Sequence, residues 1–261
     1  MRKIVFIPIT LILLFCLVTA CKKVIHIDLN TASPKIVIEG NIYDRAGPFA
    51  VKIFKSVNFD ASNVYPPVSG AIVKISDTSG YSDVLTEKLP GLYVTSFIMG
   101  IPGETYTLTV NAEGQTYTAS STMPEPVDIG KVYFQNSFFG NTIYPGVNFV
   151  DPPNINNYYR LLYSVNNAPN SEINVTDDRL SEGKTITYLI RPADTDVKLK
   201  AGDNVTVWLE SIDQGVYEYF RTAGREGGQS ASPANPTSNI SNGALGYFNA
   251  CSLRARSAIV P

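Results

Sequence analysis

The sequence predicts an all-β protein made of two β-sandwich domains, and three observations lead to that prediction. Residues 105–110 alternate strictly, with Tyr106, Leu108 and Val110 on one face and threonines on the other, which is typical of a half-buried strand. A tight turn at residues 111–114 lets the chain return as the second strand of a hairpin. No apolar stripe with helical spacing is comparable in length to these strand-like runs.

The first domain is predicted over residues 34–122 as an immunoglobulin-like sandwich of short strands. Its strand-like runs are 35–39, 49–55, 71–75, 105–110 and 115–120, with turns at 77–80 and 89–91. The alternating prolines of residues 123–126 stiffen the chain and cannot donate to a sheet, so this stretch is the predicted domain boundary. A bend inside one larger sandwich is the alternative interpretation of the same prolines.

The second domain is predicted over residues 127–261 as a larger β-sandwich with one short helix. Its strand-like runs are 127–135, 147–150, 158–165, 185–190, 205–211 and a closing strand at 246–250. The helix is predicted over residues 213–221, with Asp213 as its N-cap and with Tyr217 and Phe220 packing inward. Residues 222–243 form a polar loop rich in glycine, proline and serine, and a loop of this length is unusual inside a compact domain.

The first twenty residues have the composition of an export signal. A basic start precedes a nearly unbroken apolar run at residues 4–18, which is short for a membrane-spanning helix and normal for a signal peptide. The run ends in small residues before Cys21, which resembles the bacterial lipobox. We therefore expect residues 1–20 to be removed, Cys21 to carry the acyl chains that anchor the protein to a membrane, and residues 21–33 to act as a tether. An ordinary cleavage site followed by a chance cysteine is the alternative.

The residues after this cysteine favour the outer membrane as the location of the anchor. Lys22 and Lys23 stand where inner-membrane lipoproteins of well-studied Gram-negative bacteria carry an aspartate. Both faces of the outer membrane, periplasmic and cell-surface, stay open as alternatives. No later segment has the length and apolarity that would allow it to span a bilayer.

The composition excludes several classes of activity. The 261 residues include 21 Lys and Arg, 23 Asp and Glu, and one histidine, His26. This near-neutral balance disfavours nucleic-acid binding, and a histidine beside the anchor cannot serve a buried Ser-His-Asp or Cys-His arrangement. Once Cys21 is lipidated and the signal is removed, Cys251 is the remaining free thiol and is predicted to be buried. The ligands for a zinc site are therefore missing, and we expect no enzyme activity, no metal and no other cofactor.

Carboxylate chemistry is the enzymatic alternative. A glycoside hydrolase would need Asp177, Asp194 or Asp203 to face a second carboxylate across a cleft, and several carboxylate oxygens could also hold calcium. The preferred interpretation is that these are solvated turn carboxylates. Asp177 and Asp178 lie in a polar turn, and the sequence around Asp194 lacks the glycine and distant glutamate of an EF-hand loop.

Two stretches are candidate binding surfaces. Phe138, Phe139 and Tyr144 belong to an aromatic stretch whose flat rings could stack on a sugar or peptide. The polar loop contributes Asn235 and Asn239, because loops with many polar groups often contact a ligand or a partner. The alternative for the aromatic stretch is that alternate rings belong to the core and the others cover a sheet edge.

Motifs along nearly the whole chain match one known family. They include Val-Ile-His-Ile-Asp-Leu at 24–29, Ile-Val-Ile-Glu-Gly at 36–40, Asp-Pro-Pro at 151–153 and Gly-Ala-Leu-Gly-Tyr-Phe at 243–248. With these motifs the chain resembles the Bacteroidetes lipoprotein family catalogued as domain of unknown function 4249. The first half, through Gly-Leu-Tyr at 91–93, also resembles the carboxypeptidase-regulatory or transthyretin-like sandwich, which is an accessory module without an active site.

The resemblance implies an outer-membrane lipoprotein of a kind often encoded beside TonB-dependent receptors, and it brings no catalytic residues. The leading expectation is therefore a non-enzymatic lipoprotein that assists a TonB-dependent receptor in nutrient capture. A structural or adhesive envelope protein that binds glycan or matrix is the alternative. A carboxylate-based glycoside hydrolase is the third possibility.

Overall fold

Strands make up most of the chain in the computed structural model, which describes residues 33–58, 62, 64–137, 142–169, 172–190, 198–226 and 235–261. One helix, α1 (Gln214–Glu226), is present in these residues. The strands, in chain order, are β1 (Ile36–Tyr43), β2 (Ala50–Lys55), β3 (Ile72–Asp77), β4 (Ser82–Val84), β5 (Thr86–Leu89), β6 (Leu92–Val94), β7 (Thr105–Ala112), β8 (Gln115–Thr122), β9 (Ile129–Asn136), β10 (Ile143–Val150), β11 (Tyr158–Val165), β12 (Ala168–Pro169), β13 (Asn174–Asp177), β14 (Thr185–Leu189), β15 (Asn204–Ile212) and β16 (Leu245–Ile259).

These strands form three sheets, and the all-β prediction is confirmed. The largest sheet has nine strands in the order β12-β11-β15-β16-β1-β2-β6-β5, with β13 also pairing with β11. A four-stranded sheet has the order β4-β3-β7-β8, and a three-stranded sheet has the order β14-β10-β9. Each smaller sheet shares a hydrophobic core with one half of the nine-stranded sheet, which is the arrangement of a β-sandwich.

The hairpin of β7 and β8 shows how local sequence produces this architecture. Tyr106, Leu108 and Val110 are buried while the threonines between them face outward, as the alternation predicts. Glu113 and Gly114 connect the strands with φ angles of 50° and 77°, which are the two positive values of a type I′ turn. The glycine makes the second of these angles possible without strain.

The buried side chains divide into two large clusters, which correspond to the two halves of the chain except that residues 240–250 belong to the first cluster. The first cluster unites residues of β1, β2, β3, β7, β8 and β16, and the second unites residues of β10, β11, β14 and β15. The predicted boundary at residues 123–126 lies between β8 and β9, where the chain passes from one cluster to the other. Residues Pro34–Pro261 nevertheless form one compact unit, and the division into two domains stays a prediction.

One strand, β16, belongs to both sandwiches, which the sequence pattern did not show. Its first part pairs in parallel with β1, from Leu245 opposite Val37 to Cys251 opposite Tyr43. Its second part pairs antiparallel with β15. Gly246 has a φ of 91°, and a Cβ at this position would collide with the carbonyl oxygen of Ile38, so a glycine lets the two strands approach. The predicted closing strand at 246–250 is therefore longer than expected and completes the first sandwich as well.

Helix α1 covers part of the outer face of the nine-stranded sheet. It begins where predicted, because the backbone N–H of Val216 donates to Oδ1 of Asp213 at 2.9 Å, which is the bond of an N-cap. Tyr217 and Phe220 are buried, as predicted, and pack with Ile212 and other residues of the sheet in a third cluster. The helix thus makes a local third layer outside the two sandwiches.

The membrane-related predictions concern residues before the described part of the chain. The signal peptide, Cys21 and the tether up to residue 32 all lie outside the described residues. From residue 33 onward, no described helix combines the length and the apolarity needed to cross a bilayer. Anchoring at Cys21 therefore stays a prediction that rests on the amino-terminal sequence.

Candidate functional site

The open part of the outer face carries a groove whose floor is β1. The side chains that alternate outward from this strand are Glu39, Asn41 and Tyr43, which are all half-buried. Tyr247 of β16 lies opposite Glu39 on one side, and Lys52 of β2 lies opposite Glu39 on the other. The period of two along the strands therefore brings five polar or aromatic side chains to one surface.

These side chains line a cavity of about 260 Å³. Arg45, Pro48 and Phe49 close one end of it, and the Arg45 guanidinium carbon lies 5.2 Å from the centre of the Tyr43 ring, within cation–π range. The cavity is thus bounded by rings and by charged groups of both signs. That combination is typical of sites that orient a small polar ligand.

A chain of side-chain amides forms the floor of the groove. Nδ2 of Asn249 donates to Oδ1 of Asn41 at 3.2 Å, and Nδ2 of Asn41 donates to the hydroxyl of Tyr247 at 3.4 Å. Asn249 is fully buried, and its Oδ1 has no hydrogen-bond partner in the described part of the chain. A buried acceptor without a hydrogen-bond partner lowers the stability of the fold. The sequence nevertheless has a polar side chain at this position.

The tyrosines around the groove keep their protons at neutral pH. Burial is the main cause that raises the pKa of Tyr43 and of Tyr247. Burial, aided by Glu39, raises the pKa of the neighbouring Tyr219 to about 12. These hydroxyls therefore act as hydrogen-bond donors as well as acceptors, and they bring no negative charge to the groove.

Beneath α1, the same sheet face carries a buried ion pair. Nη1 of Arg160 on β11 lies 3.1 Å from Oε2 of Glu210 on β15, and the guanidinium carbon lies 3.8 Å from the centre of the Phe220 ring. Burial raises the pKa of Glu210, while Arg160 opposes that shift. Cys251 is buried beside this pair as predicted, and burial raises the pKa of its thiol, so it is a poor nucleophile.

A second polar pocket of about 310 Å³ lies at the start of α1 and contains Asp177. Its carboxylate accepts from Arg179 Nε and from the Tyr217 hydroxyl, each at 2.8 Å. Burial raises the pKa of Asp177, but these hydrogen bonds outweigh burial and the net pKa is lowered. A general acid of a glycoside hydrolase needs the opposite direction. Asp177 therefore has the environment of a paired structural carboxylate.

Three carboxylates gather where the loops before β11 and after β13 meet. Ligand atoms of Asp151, Asp178 and Glu182 lie within 4.8 Å of one another, and such oxygens could contribute to the coordination of a hard cation. Oδ1 of Asp151 accepts from the Tyr159 hydroxyl at 2.6 Å, and Oδ2 of Asp178 accepts from the Asn157 backbone at 2.6 Å. The second of these bonds joins the two loops, as does the bond from the Gly183 N–H to Oδ2 of Asp151 at 3.0 Å.

The interpretation of Asp177 and Asp178 as solvated turn carboxylates is wrong. The Asp178 residue is 2% exposed, and the Asp177 side chain is 12% exposed. The reason is that backbone N–H groups, a tyrosine hydroxyl and a guanidinium satisfy the carboxylates inside the protein, which a polar turn in the sequence does not reveal.

A comparison with protein families decides the affiliation of the chain. The family described as Domain of unknown function (DUF4249) matches residues 22–257. The chain belongs to this family. No curated protein matches the chain. The DUF4249 match covers nearly all of the described residues, including every strand of the groove.

Of the binding residues predicted from sequence, Tyr144, Asn235 and Asn239 lie in the described part of this DUF4249 domain. Tyr144 is half-buried on β10, opposite Gln135 of β9, and Phe138 and Phe139 lie outside the described residues. Asn235 is exposed. Asn239 has a structural role, because its amide donates to the Phe248 carbonyl at 2.8 Å and accepts from the Phe248 N–H at 3.0 Å.

Two of the aspartates considered for hydrolysis are far apart. Asp177 is paired with the first residue of β11, whereas Asp203 accepts from Asn166, which follows the last residue of that strand. The seven intervening steps correspond to about 23 Å, beyond the roughly 10 Å that separates catalytic carboxylates. Asp194 lies outside the described residues.

The groove itself was missed by reasoning from the sequence. Glu39 and Asn41 alternate with buried residues of β1, and this pattern is the same for a binding face and for an ordinary solvated face. The pairing of β1 with β16, which brings Tyr247 and Asn249 beside them, leaves no local signal. The sequence did contain one indication of the groove, namely the family motifs at residues 36–40 and 243–248. Both motifs contribute strands to the groove.

Proposed function

We propose that this protein is a non-enzymatic lipoprotein that is anchored at the outer membrane through Cys21 and captures a ligand for a TonB-dependent receptor. The groove lined by Glu39, Asn41, Tyr43 and Tyr247 carries the ligand-capture part of this proposal. Its ring faces and paired donors and acceptors suit reversible binding of a small polar compound.

The anchor and the location rest on the amino-terminal sequence. A signal peptide that ends at a lipobox-like Cys21, followed by lysines, supports lipidation and sorting to the outer membrane of a Bacteroidetes-type cell. The likeness of the first sandwich to carboxypeptidase-regulatory modules supports an accessory role for that half. A TonB-dependent receptor is the partner that the family resemblance suggests.

The absence of catalysis is proposed from the chemistry of the groove. Among the described residues that line it, Glu39 is the one carboxylate, and the other charged groups are Arg45 and Lys52. A pair of carboxylates or a nucleophile with an adjacent base is the usual requirement for hydrolysis. The groove therefore fits binding better than bond cleavage.

The test combines lipidation with co-purification. Metabolic labelling with an alkyne fatty acid should label the wild-type protein and not Cys21→Ser, with Cys251→Ser as the matched control that keeps its label. The labelled protein, purified from detergent-solubilised outer membranes, should bring a TonB-dependent receptor with it. Repeated purification without any such receptor, from cells that express one, would overturn the partner claim.

An adhesive envelope protein is the second candidate, and the outer face of β7 and β8 favours it. There the hydroxyls of Thr105 and Thr122 lie 2.8 Å apart, and those of Thr107 and Ser120 lie 3.2 Å apart. This flat array of hydroxyls could contact a glycan surface. If whole cells lose adhesion to glycan-coated surfaces when these residues are changed to alanine, while receptor co-purification fails, the adhesive role replaces the capture role.

A further inference from the structure

We infer that the groove takes an amphipathic ligand, with a neutral hydroxyl-bearing head over β1 and an apolar group over β2 and β6. This inference rests on the proposed capture function, since it names the ligand class for the same site. The ligand head contacts the groove residues Glu39, Asn41, Tyr43 and Tyr247. The second half of the site is an apolar depression that continues from them.

The apolar depression has a volume of about 330 Å³ and shares Glu39 and Lys52 with the polar groove. Because both cavities use these two side chains, they are neighbours on one face of the nine-stranded sheet. Its other lining residues are mostly apolar, and they include Phe54, Tyr65, Pro67, Leu89 and Leu92. The polar groove, at about 260 Å³, is just below and the apolar depression just above the volume of about 300 Å³ at which the range for drug-sized ligands begins, so each fits a group of about one ring.

Apolar side chains remain exposed in this depression although the backbone around them is fixed. Leu89 is 63% exposed and Tyr65 is 49% exposed. The Tyr65 ring lies 5.5 Å from the ring of Phe54, and the Ile53 N–H donates to the Gly91 carbonyl at 2.8 Å. A ligand that covers these side chains removes apolar surface from water, and the hydrogen-bonded backbone lowers the entropy cost of ordering the site.

The groove floor determines the chemistry of the head. Glu39 is an acceptor, Lys52 is a donor, and Asn41 is both, so together they match hydroxyl groups, which donate and accept. Glu39 and Lys52 face each other across the β1–β2 register, so their charges offset each other beside the head, while the Arg45 guanidinium is engaged with the Tyr43 ring at the end of the cavity. Tyr43 and Tyr247 add ring surface on which the apolar faces of a sugar ring can lie.

A peptide fits the same floor less well. β1 is paired on both sides, with β16 and β2, and β2 is paired with β1 and β6. β1 and β2, which underlie the polar groove, therefore have no free edge to which an extended peptide could add as a further strand; the edge strand of this sheet, β5, lies beside the apolar depression instead. Recognition must come from side chains, which favours a compact ligand with many hydroxyls.

The experiment compares methyl and phenyl glycosides of the common hexoses and N-acetylhexosamines. Binding to the full-length protein, purified into lipid nanodiscs, is measured by isothermal titration calorimetry. For at least one sugar, the phenyl glycoside should bind about 10-fold more tightly than the methyl glycoside, because its ring buries apolar surface in the depression. The methyl and phenyl forms share one head, so the ratio isolates the apolar half.

Three variants test which residues bind the head of the ligand and which bind its apolar group. Leu89→Ser should reduce the phenyl advantage by several-fold, while Val84→Ser, which changes a residue with nearly the same exposure on another sheet (61% against 63%), should leave it unchanged. Asn41→Ala should weaken the methyl and phenyl glycosides by the same factor. Thermal unfolding of each variant confirms that the fold is intact.

The inference is overturned if no phenyl glycoside binds more tightly than its methyl counterpart, or if Leu89→Ser and Asn41→Ala leave binding unchanged. If peptides bind in place of glycosides and lose affinity in Asn41→Ala, the ligand class is wrong while the capture function stands. If no ligand depends on these residues and no receptor co-purifies, the proposed function fails as well.

Discussion

The outer face of the nine-stranded sheet is covered by α1 over β11, β13 and part of β16 and open over β1 and β2. Charged side chains are buried in the covered region and lie at the surface in the open one. Under the helix, Arg160 and Glu210 are paired and removed from water, with Phe220 stacked on the guanidinium. In the open region, Glu39 and Lys52 sit opposite each other at the surface of a groove.

This difference shows that alternation along a strand determines which side chains point outward but not whether those side chains are buried or exposed. Glu39 and Glu210 both point to the outer face of one sheet, yet Glu210 is 1% exposed and Glu39 lines a cavity. The cause of the difference is helix α1, which covers Glu210 and leaves Glu39 uncovered. We therefore expect changes under α1 to affect folding and changes in the groove to affect binding.

The largest effect is expected from Glu210→Leu, which leaves Arg160 charged and unpaired beneath α1. Removal of one partner of a buried pair costs about 3–5 kcal/mol of the free energy of unfolding. Urea denaturation of the wild type and the variant measures the difference.

The control for that experiment is the double variant Arg160→Met with Glu210→Leu. Replacement of both charges by apolar groups should bring the stability back to within about 1 kcal/mol of the wild type. If the single and double variants are equally unstable, packing of the side chains rather than charge pairing explains the loss.

A smaller loss is expected from Asp213→Ala, which removes the N-cap of α1 and its hydrogen bonds to β8. Asp213 caps the helix through Val216 and also accepts from the Ser121 hydroxyl at 2.5 Å and from the Thr122 N–H at 3.2 Å. Loss of the cap and of these bonds should cost about 2–3 kcal/mol. Hydrogen exchange should become faster in α1, whereas Asp213→Asn, which can still cap, should lose less than half as much. Equal losses in both variants would contradict the capping role.

Asp177, in the polar pocket at the start of α1, gives a prediction about how stability depends on pH. The pKa of Asp177 is lowered in the folded protein, so its ionised form stabilises the fold above the ordinary Asp pKa of about 3.9, and this contribution is lost as the pH falls through the lowered value. Asp177→Asn should therefore cost about 1 kcal/mol at pH 7, and the difference from the wild type should shrink below about pH 4. Unfolding measured across this range checks the sign. A difference that stays constant with pH would show that ionisation of Asp177 is irrelevant.

The smallest effect on stability is expected in the open region. Lys52→Ala removes an exposed side chain and should change the free energy of unfolding by less than about 0.5 kcal/mol. The same change should weaken glycoside binding. A loss of stability comparable to that of Asp213→Ala would mean that the groove is part of the structural framework.

The elements that could be predicted from sequence are those with local causes. The β7–β8 hairpin followed from strict alternation around a turn with Gly114, and the start of α1 followed from Asp213. Both depend on residues that are close in the chain, so their physical reasons are readable in the sequence.

What could not be predicted depends on contacts between distant residues. Asn41 and Asn249 are 208 positions apart, and the parallel pairing of β1 and β16 that joins them leaves no periodic signal. The same limit explains Asp178, whose burial depends on the loop that carries Asn157. The groove combines outward residues of strands from opposite ends of the chain, and so it was missed.

The position of β16 between β1 and β15 has a consequence for biogenesis. β16 is the strand that joins β1 to β15, so a chain interrupted before residue 245 would present two unpaired strand edges at once. Unpaired edges recruit other chains and expose the backbone to proteases. Through its two pairings β16 covers both of these edges, so we expect a chain without this strand to aggregate and to be cleaved more readily than the chain that contains it.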